Sequence, residues 1–173
     1  MEVWACDEHR IGLKPILRRV WAPVGQRPVI EVQPRYQWSY LHGFVQPQSG
    51  RTFWFLTPGI DIALFELVLH EFAHEVGAGV GTEIVLVLDQ AGWHTSAQVN
   101  VPAGITLVFL PPRSPELQPA ERLWPLSNEA ICNRRFQDIE ELEEVQSQRC
   151  VQLLAQPQLI RSHTLFHWWP QID

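Results

Sequence analysis

Several things are scarce in this chain, and each scarcity excludes a class of protein. No apolar run approaches the roughly 18 uninterrupted residues of a membrane-spanning helix, which leaves a soluble chain as the expectation. Cysteine is limited to Cys6, Cys132 and Cys150, an odd number and widely spaced. That excludes a disulfide framework or a zinc knuckle and suits a reducing cytoplasm. Lysine is reduced to one, Lys14, beside twelve arginines, and 13 basic against 19 acidic side chains leave a net charge of −6. So acidic a chain has no general field for attracting phosphates, and any role on nucleic acid must rest on local arginines or on another segment. Charged residues are only 18% against 46% hydrophobic, a balance that excludes intrinsic disorder, and 173 residues suffice for a single cored domain. Glu2, Asp7 and Glu8 close behind Met1 fit no secretory signal peptide.

What is present divides into two halves. Trp4 to Cys6 reads as a strand ending at the acidic pair Asp7-Glu8, and Val29–Val32, Trp38–Val45 and Thr52–Leu56 read as further strands, the last two joined by a turn at Gln48-Ser49-Gly50. This part is predicted to be an antiparallel meander. The period then changes. Asp61 is placed to cap a helix whose Phe65, Leu69, Phe72 and Val76 share a face, and Gly77, Gly79 and Gly81 end it. Ile84–Leu88 and Ile105–Leu110 are short β-branched runs, as in strands buried on both faces. Pro119 opens a helix after Gln118, and another is predicted from Asp138 to about Leu154. The expected fold class is α/β, with a meander plus parallel strands in one mixed sheet flanked by helices.

Two constellations of residues carry chemistry. His70-Glu71-Phe72-Ala73-His74 sets two histidines on one helix face around a glutamate, the spacing of a zinc peptidase. The same residues read equally as a solvated helix face, since Glu66, Glu71 and Glu75 lie beside them, and Val80 stands where a longer zinc motif needs its third histidine. The second constellation is distributed. Asp7 and Asp89 end predicted strands and Glu121 lies in the first turn of the helix entered by Pro119, places that converge in open α/β sheets. Three carboxylates together repel one another unless cations neutralise them, and hard divalent ions take oxygen ligands of this kind.

Four stretches resemble the catalytic domain of IS630-type transposases of the Tc1/mariner group. They are Cys6-Asp7-Glu8 with Arg18–Pro28 (RRVWAPVGQRP), Ile84–His94 (IVLVLDQAGWH), Leu110–Trp124 (LPPRSPELQPAERLW), and Phe166-His167-Trp168-Trp169-Pro170. The resemblance implies an RNase H-like fold, a single catalytic domain over residues 1–173, and an acidic triad of Asp7, Asp89 and Glu121 holding two Mg²⁺ or Mn²⁺ ions. It implies metal-dependent DNA cleavage and strand transfer in cut-and-paste transposition. The partners would be transposon ends and a target TA site, with a homodimer in the active complex. The setting implied is a bacterial cytoplasm, at the nucleoid. The family's helix-turn-helix region is not found before Asp7, so an upstream helix-turn-helix polypeptide is a further expected partner, and an inactive DNA- or protein-binding remnant is the non-enzyme alternative. Gln90 and Gln118 replace the family's usual asparagines; glutamine caps a helix less well, which predicts a looser first turn around Glu121.

Arg18, Arg19, Arg113, Arg122, Arg134 and Arg135 are candidates for contacting DNA phosphates, since guanidinium forks suit phosphate oxygens. Arg113 and Arg122 flank the expected site. His94 is a candidate to orient an acid or a scissile phosphate, or to make a structural hydrogen bond at a helix start. Trp4, Trp38 and Trp54 are expected in the core, and Trp168-Trp169 is expected to dock on the domain.

Overall fold

A computed structural model describes residues 1–32 and 35–170. Five strands form one sheet: β1 (Glu2–Gly12), β2 (Trp38–Gln46), β3 (Arg51–Thr57), β4 (Ile84–Leu88) and β5 (Ile105–Phe109), in the order β3-β2-β1-β4-β5. β1, β2 and β3 are antiparallel, and β4 and β5 run parallel to β1. The α-helices are α1 (Ile62–Val76), α2 (Gly92–Thr95), α3 (Trp124–Ser127), α4 (Ile139–Leu154) and α5 (Pro157–Thr164). Short 3-10 turns at Pro115–Leu117, Pro119–Leu123 and Asn128–Ala130 surround α3. A mixed sheet covered on both faces in this way is RNase H-like.

Side chains alternate along a strand, so each strand serves two cores. Trp4, Cys6, Phe44, Leu86 and Leu88 pack with Phe65, Val68, Leu69 and Phe72 of α1 on one face. Ala5, Leu41, Val45 and Val87 pack on the other with Ala120, Leu123, Trp124, Cys150, Leu153, Ile160 and Trp169. Phe72 sits at the centre of the first core, stacked on Phe44 at 4.2 Å and edge-on to Trp4 at 5.1 Å. Helix α1 begins as its sequence predicts, with Asp61 accepting from Leu64 N at 2.8 Å, and ends on Gly77 in the left-handed conformation. Asp138 caps α4 in the same manner, accepting from Glu141 N. Trp169 is buried, which docks the tail as expected, whereas Trp168 beside it is exposed.

Four elements differ from expectation. The first strand does not stop at Asp7-Glu8 but continues to Gly12, because β2 pairs with it as far as Trp38. Val29–Val32 is not a strand: β2 already occupies that edge of β1, so residues 14–32 run outside the sheet and are mostly exposed. The helix expected from Pro119 is a series of 3-10 and α turns instead. α5, opened by Pro157, was not anticipated, and it packs so closely on the β2–β3 turn that a Cβ on Gly50 would meet Pro157 O at 1.9 Å. Of the core tryptophans, Trp4 is buried and Trp54 half-buried, whereas Trp38 is exposed at the strand end under Arg10, whose guanidinium lies 5.3 Å from its ring. Among the described residues no helix is long and apolar enough to cross a membrane.

Phe72→Ala removes the ring that three aromatic neighbours pack against. It is expected to lower unfolding free energy by about 3–5 kcal/mol, read from the midpoint of a urea titration.

Candidate active site

Register decides which acids meet. In the parallel pairing of β1 with β4, Glu2 faces Ile84 and Ala5 faces Val87. Asp7 lies two residues beyond Ala5 within β1, and Asp89 two residues beyond Val87, just past the end of β4. Their side chains follow Ala5 and Val87 onto the face covered by Ala120 and Leu123, and the turn Pro119–Leu123 brings Glu121 to that face. Asp7, Asp89 and Glu121 line one cleft of about 360 Å³, together with Gln90, the proline turn Pro111–Pro115 and Gln118.

Each acid is held differently. Asp7 lies in mid-strand opposite Gly43 of β2, and Trp124 Nε1 donates to its Oδ2 at 3.1 Å. Gly43 makes this possible, since a Cβ there would stand 2.9 Å from the Trp124 ring. On its far side the same indole stacks on His9 at 5.0 Å. Gln118, buried, donates to Cys6 O at 2.9 Å while its side-chain oxygen faces Ala120 N at 3.4 Å. Its amide therefore ties the turn carrying Glu121 to the strand carrying Asp7, so the loosening expected from a glutamine cap is offset by this cross-link. Gln90 likewise spans β4 and β5, donating to Leu110 O at 2.8 Å.

Asp89 is held through its neighbour. Its Oδ1 accepts from Ala91 N at 3.0 Å and faces His94 Nδ1 at 2.8 Å. The other ring nitrogen of His94 faces Glu8 Oε1 at 3.0 Å. Glu8 points to the α1 face, opposite Asp7, because the two are consecutive on a strand. Trp93 Nε1 donates to Glu8 Oε2 at 3.3 Å, and His42 Nδ1 lies 3.4 Å from Oε1 without hydrogen-bond geometry. The Glu8, His42 and His94 side chains are all within 5% of complete burial.

The electrostatics separate these acids. Burial, then the charges of Glu121 and Glu8, push Asp7 up to about 7, against a smaller opposing effect of the Trp124 hydrogen bond. Glu121 is also raised, by burial and by Asp89. Asp89 is lowered, chiefly by its bond to His94. Burial alone would raise Glu8, but His42 and His94 beside it bring it down to about 2. Burial would lower His94, but Asp89 and Glu8 outweigh it and raise it to about 9. The cleft thus contains a carboxyl group lacking a cation, while a second buried acid nearby is neutralised.

The donor set, carboxylate oxygen without thiolate, suits a hard divalent ion. The acids are ranged around the cleft rather than drawn onto one point: among the described residues, no three His, Cys, Asp or Glu are gathered closely enough to hold a metal ion as they stand. His70 and His74 are exposed on the outer face of α1, and no third donor joins them among those residues. His94 bonds Asp89 and Glu8 and, being buried, is not at the surface where a phosphate would lie. Of the arginines, Arg113 lines the cleft, with a left-handed φ of 59°. Arg122 packs over Phe166, Arg18 reaches Pro125 O and Glu129, Arg134 lies over Phe136, Arg135 pairs with Glu31, and Arg19 is exposed. Sequence reasoning missed Glu8, His42, Gly43 and Trp124. The signals were a glycine and a histidine inside an aromatic strand and a tryptophan three residues beyond Glu121.

A family model described as DDE superfamily endonuclease matches residues 2–143. An uncharacterized protein of Sinorhizobium fredii, y4pE/y4sA, is 37% identical over 134 residues, covering 76% of this chain and 96% of that protein. Two solved structures share the fold. A Mos1 transposase paired-end complex with left transposon end aligns with a TM-score of 0.59 at 14% identity, over 93% of this chain and 55% of that one. A pre-cleavage Mos1 transpososome aligns at 0.60 and 13% identity, over 95% and 56%. The chain therefore spans little more than half the length of these solved chains.

Asp7 gives the metal-free protein a pH dependence of definite sign. The folded chain keeps the Asp7 proton up to about pH 7, whereas an ordinary aspartate releases it near 3.8. Between those values the folded state binds more protons than the unfolded one, so this group's contribution to stability falls as pH rises and is flat above. Asp7→Asn is expected to raise the thermal midpoint at pH 8 and to change it little at pH 4, measured by calorimetry with chelator present.

Proposed function

The chain belongs to the DDE superfamily endonuclease family, of the IS630 and Tc1/mariner type, and from that premise we propose that it is a transposase catalytic domain. Its reaction is metal-dependent cleavage of DNA strands at the ends of a mobile element, followed by joining of the freed 3′-hydroxyl to target DNA at a TA step. The observation that carries this reading is the meeting of Asp7, Asp89 and Glu121, from three distant parts of the chain, around one cleft.

The residues take distinct roles in it. Asp7 and Asp89, which line the same cleft, would share Mg²⁺ or Mn²⁺, and Glu121 would complete the coordination of one of two ions. Bound there, such ions activate a water and stabilise the leaving oxygen of a phosphodiester. Trp124 keeps Asp7 facing the cleft, and Gln118 keeps the Glu121 turn against β1. Arg113, on the cleft wall, is suited to hold a phosphate oxygen beside the acids. Solved complexes of Mos1 are described with Mg and with Mn, and as paired-end assemblies, which supports the same ions and a dimer here. With a net charge of −6, affinity for DNA ends is assigned to local arginines and to a helix-turn-helix region, as in the transposases it resembles.

Mn²⁺-dependent nicking of a terminal-repeat duplex tests the proposal. Asp89→Ala and Glu121→Ala are each expected to lower the rate by at least about a hundredfold, as loss of several kcal/mol of metal-borne stabilisation requires. Nicking that survives both substitutions would remove these acids from the reaction, and Mn²⁺-dependent binding of DNA by wild type with no cleavage would instead make the chain a binding remnant.

A further inference from the structure

Asp89 is more than half exposed, yet one of its oxygens is fully committed. Oδ1 takes both Ala91 N and the His94 ring, and no described residue takes Oδ2. The His94 ring is completely buried with a carboxylate oxygen against each nitrogen, at 2.8 and 3.0 Å. Ionised carboxylates only accept, so a ring donating at both ends cannot turn without losing one bond; the Trp93 indole nitrogen lies 3.1 Å from the same Nε2 and 3.3 Å from Glu8 Oε2, and its N–H goes to the carboxylate. Glu8 is held in turn by Trp93, with His42 packed beside it: His42 Nε2 donates at 3.0 Å to the Thr57 hydroxyl as that hydroxyl donates to Gly59 O at 2.6 Å, and its Nδ1 lies 3.4 Å from Glu8 Oε1 without hydrogen-bond geometry. A chain of buried groups thus runs from the β3 end, beneath the sheet, to the acid in the cleft.

We propose that His94, clamped by Glu8, is a positioning residue that fixes the Asp89 carboxylate with Oδ1 turned inward and Oδ2 presented to a divalent ion in the cleft. Ligand-orienting partners of this kind govern metal affinity even though they never touch the ion. This rests on the reading of Asp89 as a metal ligand. Glu8 lies on the opposite face of the strand from Asp7 and is a support for the cleft rather than a fourth acid in it.

The two glutamine- and asparagine-type replacements of His94 separate the contacts. A glutamine amide reaches the position of Nε2 and keeps the Glu8 contact but loses Asp89. An asparagine amide replaces Nδ1 and keeps Asp89. Mn²⁺ affinity is read by electron paramagnetic resonance on the full chain, without DNA, alongside circular dichroism and thermal midpoints. Removing a cation from beside a cation site should by charge alone tighten Mn²⁺ binding; loss of positioning should weaken it. His94→Gln is expected to weaken Mn²⁺ by about 10–100-fold, and His94→Asn, which keeps the Asp89 bond but loses the Glu8 clamp, to weaken it by less than His94→Gln and by at least about threefold. Glu8→Asp, which keeps the charge and withdraws the clamp by one methylene, is expected to weaken it at least about threefold and decides the matter should His94→Gln not fold. Unchanged or tighter Mn²⁺ binding in folded His94→Gln, or in Glu8→Asp where only that variant folds, overturns the positioning role. Should wild type bind Mn²⁺ no better than Asp89→Ala, the reading of the acids as ligands fails first, and this inference with it.

Discussion

The parallel register between β1 and β4 is the constraint on which the cleft depends. It brings Asp7 and the end of β4 that leads to Asp89 to one cleft, and a slip of one residue would turn the side chains of the slipped strand to the wrong face of the sheet. The register is well specified because both faces of both strands are buried, Trp4, Cys6, Leu86 and Leu88 toward α1 and Ala5 and Val87 toward the opposite helices. The same alternation separates Asp7 from Glu8. One acid faces the cleft, and the other is placed under the sheet, where two histidines surround it.

That separation explains how so acidic a region stays folded. Were Glu8 unpaired, it would add to the repulsion already acting on Asp7. Enclosed by His42 and His94, it becomes part of an internal network whose outermost member is Asp89. The unfavourable electrostatics are concentrated on Asp7 and Glu121, and are tolerated because Trp124 holds the Asp7 carboxyl and Gln118 ties the turn carrying Glu121 to β1. Gly43 is a small requirement of this design: only a residue without a side chain lets the Trp124 ring lie over β2 and reach Asp7.

Much of this was legible in the sequence where local physics governs. The Asp61 cap, the Phe65/Leu69/Phe72 face, the glycine stop at Gly77 and the run Ile84–Leu88 form as their patterns predict, since each depends on neighbours within one element; Ile105–Phe109 forms a strand too, but at the sheet edge with Thr106, Val108 and Phe109 exposed rather than buried on both faces. Expectation failed where pairing partners decide. Val29–Val32 has strand-like composition but no free edge of β1 to join, and β1 runs past its acids because β2 is there to pair with it. The reading of Gln118 as a weak cap was right about the cap, whose bond is long, and incomplete about the residue, whose second bond crosses to another element.

By itself the sequence determined the candidate acids, the strands that lead to Asp7 and Asp89, and the family, because propensity, capping and motif order are written along the chain. Tertiary structure alone decided that Asp7, Asp89 and Glu121 line one cleft, that the segment carrying Glu121 is a 3-10 turn, that Glu8 faces the other side of the sheet from Asp7, and that His94 is enclosed between two carboxylates. Those facts depend on strand register and on which face each residue meets, and both are settled only when segments more than 80 residues apart pack together.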